Sequence, residues 1–153
     1  MPGGSERLSN FVEENALDVE VVTLDSSTRT SKMAAEALGC EVAQIAKSIV
    51  FTGEDPVVVV ISGDRRVDSG KLSGVLGNKA EIADADAVRR DTGYVIGGVP
   101  PFPHDEGVRV LLDSSLTRFG EVWAAAGTPH SVMRVKVRDL ERIVGVGYVD
   151  VGG

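Results

Sequence analysis

The chain has 153 residues, 42% of them hydrophobic and 25% charged, and its formal net charge is −7. A chain of this length usually forms one domain and buries about 70% of its unfolded surface, so it needs no metal or disulfide as a staple. The single cysteine excludes a disulfide framework, two histidines argue against a zinc site, and the acidic balance argues against a dedicated nucleic-acid binder.

The first half of the chain predicts helices and strands in alternation. Residues 1–5 lack a basic start and an apolar core, so no secretion signal is expected, and no apolar run reaches the ~18 residues of a membrane helix. We therefore predict a cytoplasmic location. The first predicted elements are a helix over 5–17, a strand over 19–24, and a polar turn over 26–30 that caps a helix over 31–38. A helical turn over 41–45 and a hairpin of strands 47–52 and 56–62 follow. The next helix covers 68–76, begins at Asp68 or Ser69 and stops at Gly77.

The second half continues the mixture without a regular βαβ rhythm. The predicted elements are a short strand over 80–82, a helix over 84–90, strands over 94–96, 108–113, 121–126 and 131–137, and a helix over 138–144. Several strands are close enough in sequence to be antiparallel neighbours. We therefore predict one α+β (mixed α/β) domain over residues 1–153, with a curved sheet partly covered by helices.

One lysine occupies an unusual place in the pattern 44-QIAKSIVF-51. In a strand, Lys47 shares one face with Ile45, Ile49 and Phe51. A lysine is almost never fully buried without a partner. Either Lys47 lies at the strand start and reaches water along its alkyl stem, or its partly desolvated ammonium orients a carbonyl, a ribose hydroxyl or a phosphate.

The stretch 94-YVIGGVPPFPHD-105 combines glycines with prolines. Gly97 and Gly98 permit unusual dihedral angles and close approach to the backbone, and Pro100 and Pro101 stiffen the loop that follows. Two interpretations remain open: a rigid cradle for a small polar ligand, or a tight bend at a sheet edge.

Four further residues have side chains that could carry chemistry. His104 and His130 could act as acid or base, although an exposed loop position is the simpler interpretation for both. Cys40 lies at a helix end rather than a helix N-terminus, so we expect it to be structural. Asp113 follows an apolar strand and either caps the turn after it or directs a carboxylate into a cleft.

Taken together, these segments resemble the YbaK-like family of prolyl-tRNA editing, aminoacyl-tRNA deacylase domains. The resemblance covers about residues 18–144, and it implies a compact mixed α/β domain around a strongly curved, partly barrel-like sheet flanked by helices. It is carried, in order, by 36-EALGCEVAQIAKSIVF-51, 62-SGDRRVDSGKLSGVLG-77, 94-YVIGGVPPF-102, 110-VLLDSSL-116 and 125-AAGTPHS-131.

The resemblance implies hydrolysis of the ester that joins an incorrect amino acid to the 3′ end of a tRNA, typically tRNA(Pro). The implied reaction is expected to need no metal or other cofactor. The residues that it implies for catalysis are Lys47, Gly97, Gly98 and Asp113. The residues that it implies for substrate binding are Val99, Pro100, Pro101, His130 and Ser131.

The expected partners are the aminoacyl-tRNA 3′ end and a prolyl-tRNA synthetase. A local basic rim for the tRNA is predicted from Lys47, Arg65, Arg66, Lys71 and Lys79, although the four beyond Lys47 could equally be solvated surface charges. Of these, Arg65, Arg66 and Lys71 are the predicted tRNA-binding residues. Two alternative functions remain open: a tRNA- or synthetase-binding module with the same fold and no catalysis, and a hydrolase of some other small acyl ester.

Overall fold

A computed structural model describes residues 3–25 and 30–153. The helices are α1 Gly4–Glu14, α2 Ser31–Leu38, α3 Ser69–Leu76, α4 Ala85–Thr92 and α5 Val137–Val144. The strands are β1 Glu20–Thr23, β2 Ile45–Thr52, β3 Val57–Ser62, β4 Glu81–Ile82, β5 Arg109–Asp113, β6 Glu121–Ala125, β7 Ser131–Lys136 and β8 Tyr148–Val149. Short 3₁₀ turns cover Val42–Gln44 and Ser114–Arg118. Within these residues, no helix is both long and apolar enough to cross a bilayer.

All eight strands form one mixed sheet. Its order is β1-β7-β6-β2-β3-β5-β8, and β4 pairs with β2 beside this path. The pairs β2–β6, β3–β5 and β5–β8 are parallel, and the other pairs are antiparallel. The predicted mixed fold is confirmed, and its sheet is open rather than closed into a barrel.

The β2–β3 hairpin is the centre of the sheet. Val57 to Ile61 of β3 are each no more than 3% exposed, since both faces of this strand are covered. Val58 and Val60 face the larger core, whereas Val59 and Ile61 face a smaller core beneath α3. The predicted alternation of β2 is confirmed, because Val50 packs in the larger core.

Helix ends follow the predicted capping chemistry. Thr30, Asp68 and Asp84 each accept a hydrogen bond from the backbone N–H three residues later. Gly39 and Gly77 end α2 and α3 in the left-handed conformation, as expected. The rest of the predicted polar turn, residues 26–29, lies outside the described residues.

The strand predicted over residues 94–96 is wrong. Tyr94 is 1% exposed, and its hydroxyl donates to the Pro103 carbonyl, so its ring anchors a loop. Val95 and Ile96 are exposed, and the Gly98 N–H donates to the Val95 carbonyl to close a tight turn. Three consecutive apolar residues predicted a strand, but only the first of them is buried.

Candidate functional site

A cleft of about 520 Å³ lies where α2, β2, β6 and the loop after α4 meet. Lys47 and Ser48 line it from β2, Gly97 and Val99 from the loop, and Trp123 from β6. The structure therefore brings Lys47 and Gly97, two of the predicted site residues, to one cleft. Residues on both faces of β2 line the cleft, so it lies beside one edge of this strand rather than over one face of the sheet.

Lys47 is a half-buried cation that faces the cleft. Burial lowers the pKa of its ammonium, the nearby Arg66 guanidinium lowers that pKa further, and the Asp64 carboxylate opposes both effects. Asp64 is itself engaged by the Arg118 guanidinium at 2.7 and 3.0 Å. Within residues 3–25 and 30–153, the Lys47 ammonium makes no hydrogen bond or ion pair, so it is available to a ligand.

The two glycines of the loop have different structural roles. Gly97 adopts a φ of +84° and lines the cleft, so its backbone is presented to a ligand. Gly98 does not line the cleft. A β-carbon on Gly98 would lie 2.8 Å from the Thr128 Cα, so the absence of a side chain lets this loop pack on the turn before β7.

The remaining loop residues also differ in whether they line the cleft. Val99 is 4% exposed and forms part of the cleft wall. Pro100 and Pro101 are buried behind that wall and do not line the cleft. The His104 Nε2–H donates to the Pro100 carbonyl at 2.7 Å, and the His104 ring packs edge-on against Tyr94. These contacts, made by residues that do not line the cleft, hold the loop in place.

Asp113, His130 and Ser131 lie outside the cleft lining. The Asp113 carboxylate is 2% exposed and accepts hydrogen bonds from the Ser115 and Val151 N–H groups. It therefore caps the turn after β5, which was one of its two predicted roles, and also holds the C-terminal segment. His130 is exposed, and the Ser131 hydroxyl accepts a hydrogen bond from Thr128.

The predicted basic rim is only partly free. Arg65 and Arg66 are exposed, the Arg65 Nε lies 3.9 Å from an Asp64 carboxylate oxygen, and Arg66 is close enough to Lys47 to lower its pKa. The Lys71 ammonium is held instead by the Asp150 carboxylate and the Gly152 carbonyl, at 2.8 to 3.2 Å. A cation that the sequence analysis missed, Lys32 at the start of α2, lines the cleft.

Ser48 and Trp123 also line the cleft and were not among the predicted site residues. Ser48 follows the predicted lysine directly, but nothing in the sequence distinguishes its polar groups from those of any other strand residue. Trp123 is the only tryptophan in the chain. Its ring lies under the Arg134 guanidinium at 5.8 Å, and this single aromatic in a predicted strand was the available signal.

Comparison with known proteins gives consistent results. The sequence model of the aminoacyl-tRNA editing domain family matches residues 25–143. A crystal structure of a candidate trans-editing enzyme for prolyl tRNA synthetase is 37% identical and superposes with a TM-score of 0.90, covering 100% of this chain and 99% of the other.

Two curated relatives carry more specific names. The candidate Cys-tRNA(Pro)/Cys-tRNA(Cys) deacylase EbsC of Enterococcus faecalis (strain ATCC 700802 / V583) is 31% identical over 101 residues, covering 64% of this chain and 62% of EbsC. The multifunctional Ser/Thr-tRNA deacylase ProXp-y of Escherichia coli (strain K12) is 26% identical over 145 residues, covering 90% of this chain and 86% of ProXp-y.

Proposed function

Because the chain belongs to the aminoacyl-tRNA editing domain family, we propose that it hydrolyses the ester between an incorrect amino acid and the 3′ end of a tRNA. The proposed tRNA is tRNA(Pro), and the proposed partner is a prolyl-tRNA synthetase. The similarity to EbsC and to the candidate trans-editing enzyme supports both proposals.

The observation that carries this proposal is the shared cleft of Lys47 and Gly97. A ligand there meets, on one side, an ammonium that has no partner among the described residues and, on the other side, the backbone of Gly97. An aminoacyl ester is already activated, so positioning and polarisation of its carbonyl can replace a nucleophilic triad. Lys47 would hold the ester carbonyl or the terminal adenosine, and Gly97 would position the attacking water or the ribose hydroxyl.

The reaction is a simple hydrolysis. The water oxygen bonds to the acyl carbon, the bond from that carbon to the ribose oxygen breaks, and the ribose oxygen takes up a proton. The products are the free amino acid and the uncharged tRNA. Because the Lys47 cation is partly shielded from water, its attraction for the developing oxyanion is stronger than that of a surface lysine.

The wall of the cleft would select the amino acid by size. Val99 and Trp123 give an apolar boundary, and one methylene changes discrimination by about 1–3 kcal/mol in such a pocket. Because EbsC and ProXp-y are named for different amino acids, we propose a small side chain and no single residue type.

Arg65 and Arg66 are proposed to attract the tRNA backbone next to the cleft. The net charge of −7 makes this attraction local. Binding is therefore expected to be weak and strongly salt-dependent, because each neutralised phosphate releases counterions. A synthetase partner would supply the remaining affinity.

The test is deacylation of a panel of tRNA(Pro) species charged with alanine, cysteine, serine, threonine or proline. We expect turnover of at least one incorrect species, and a loss of about 100-fold or more in Lys47→Ala, the scale of removing one polarising group. Lys136→Ala, which removes a lysine paired with Asp18 away from the cleft, is the matched control. Binding of tRNA(Pro) without turnover of any species would favour the non-catalytic alternative.

A further inference from the structure

The edge of β2 that faces the cleft has a gap in its pairing. On that edge, β6 pairs with Ile45 and Ala46, and β4 pairs with Phe51 and Thr52. Between these two contacts, β3 is the only described strand that pairs with β2, and it lies on the other edge of β2. The gap is therefore a short stretch of open strand edge within the sheet.

The backbone groups of Ser48 point into this gap. The Ile45 carbonyl accepts from the Gly63 N–H on the β3 side, whereas the Val50 carbonyl accepts from the Ala83 N–H on the opposite side. Backbone groups of successive strand residues alternate between the two edges. The N–H and C=O of Ser48 therefore point to the same side as the Val50 carbonyl, where neither β6 nor β4 reaches them, and Ser48 lines the cleft.

The Ser48 side chain adds a third unused polar group. Its Oγ is shielded from solvent and has no hydrogen-bond partner in the part of the chain that the structure describes. Buried polar groups without partners are uncommon because each one costs free energy. One residue of the cleft lining thus has a backbone donor, a backbone acceptor and a hydroxyl without partners among the described residues.

We propose, on the basis of the function proposed above, that Ser48 holds the aminoacyl group of the substrate as a one-residue β-strand. The Ser48 carbonyl accepts a hydrogen bond from the substrate's α-ammonium, and the Ser48 N–H donates to the ester carbonyl oxygen. An aminoacyl group presents this donor and acceptor in the same arrangement as a residue in a hydrogen-bonded antiparallel pair. The N–H also stabilises the charge that develops on the ester oxygen when water attacks.

Amide hydrogen exchange followed by NMR tests the backbone contact directly. The probe is 3′-deoxy-3′-(L-alanylamino)adenosine, whose amide replaces the ester and resists hydrolysis, and the control ligand is the propionylamino compound, which lacks only the α-amino group. In the free protein we expect the Ser48 amide to exchange faster than the Lys47 and Ile49 amides, which face β3. Saturation with the alanyl probe is expected to slow Ser48 exchange about 10-fold or more, and the propionyl compound to bind about 10-fold more weakly.

A pair of variants tests the hydroxyl. Ser48→Ala is expected to weaken binding of the alanyl probe about 5-fold, the effect of one neutral hydrogen bond. Ser62→Ala is the matched control, because the Ser62 Oγ is also buried with no partner in the described part of the chain but does not line the cleft. It should leave the dissociation constant unchanged.

The outcomes separate this inference from the proposed function. A Ser48 amide that is already protected, or that does not respond to a bound alanyl probe while mischarged tRNA is hydrolysed, overturns the inference and leaves the function standing. Failure to hydrolyse any charged tRNA overturns the function instead.

Discussion

Gly98 lies directly against the backbone of Thr128, and a β-carbon at position 98 would stand 2.8 Å from the Thr128 Cα and 2.9 Å from its carbonyl carbon. Backbone atoms cannot move aside as a flexible side chain can. The contact therefore fixes the distance between the cleft loop and the turn before β7.

Gly98→Ala is expected to push these two segments apart. We expect it to lower the free energy of unfolding by about 1–3 kcal/mol, the usual cost of overpacking, and to reduce deacylation by displacing Gly97 and Val99. Urea unfolding and the deacylation assay measure the two effects. Gly74→Ala in α3, where an added β-carbon meets nothing within 4 Å, is the control and should not destabilise the protein.

Lys47 is expected to reduce stability at neutral pH. Its pKa is lowered mainly by burial, so the folded state binds this proton less tightly than the unfolded state does. The free-energy penalty of burying the Lys47 ammonium is fully present at pH values below the pKa of Lys47 in the folded state. It is relieved as the pH rises from that pKa to the ordinary lysine pKa. Lys47→Met should therefore be more stable than wild type at pH 7, and the difference should shrink towards pH 10 in urea titrations.

The same variant should have lost its deacylase activity. A Lys47→Met protein that is less stable at pH 7, or whose stability difference does not change with pH, would contradict the burial of this ammonium.

His104 is expected to make stability fall in mild acid. Burial lowers its pKa, and its Nδ1 is shielded from solvent without a partner, so a second proton there has no acceptor among the described residues. Arg7 and Asp105 act on the ring in opposite directions, Arg7 lowering the pKa and Asp105 raising it. The stability that the protein has with a neutral His104 is fully present above the ordinary histidine pKa. It is lost as the pH falls from that value towards the lower pKa of His104 in the folded state.

Thermal unfolding between pH 7.5 and pH 5 measures this effect. His104→Gln keeps a donor for the Pro100 carbonyl and should show a smaller loss of stability than wild type over this range. His130→Gln, at an exposed position, serves as the comparison. Equal pH profiles for wild type and His104→Gln would show that His104 is not responsible.

Asp113→Ala separates structure from catalysis. The substitution leaves the buried N–H of Val151 and that of Ser115 without their acceptor, so we expect a loss of about 3 kcal/mol in the free energy of unfolding. Because Asp113 does not line the cleft, the deacylation rate per folded molecule should stay within about twofold of wild type at low temperature. A fall in that rate of 100-fold with the fold intact would return Asp113 to the reacting centre.

The fold was predictable where local signals agree with the tertiary structure. Strands β2 and β3 have β-branched residues, alternation and a turn between them, and the helix caps use ordinary local chemistry. The strand prediction for residues 94–96 was wrong because the composition of this segment does not show that the Tyr94 hydroxyl donates to the Pro103 carbonyl. Strand β8 has two residues, too few to produce a pattern.

The site was predictable in part for the same reason. Lys47 and the glycine loop are unusual within their own segments, so each was recognisable before the structure. Ser48 was not, because its open backbone depends on where β6 stops and β4 starts. Lys71 was assigned to the tRNA because its sequence neighbours gave no sign that it binds Asp150 across 79 positions.

In the proposed binding mode, main-chain groups in the gap of β2 hold the substrate, and different groups, the side chains around the gap, select its amino acid. Main-chain groups are the same whichever amino acid occupies the position, so mutation cannot easily remove an anchor built from them. The surrounding walls at Val99 and Trp123 are side chains and can change freely. A protein built this way can shift its preference from one small amino acid to another by altering its walls while the substrate stays in the same place and orientation.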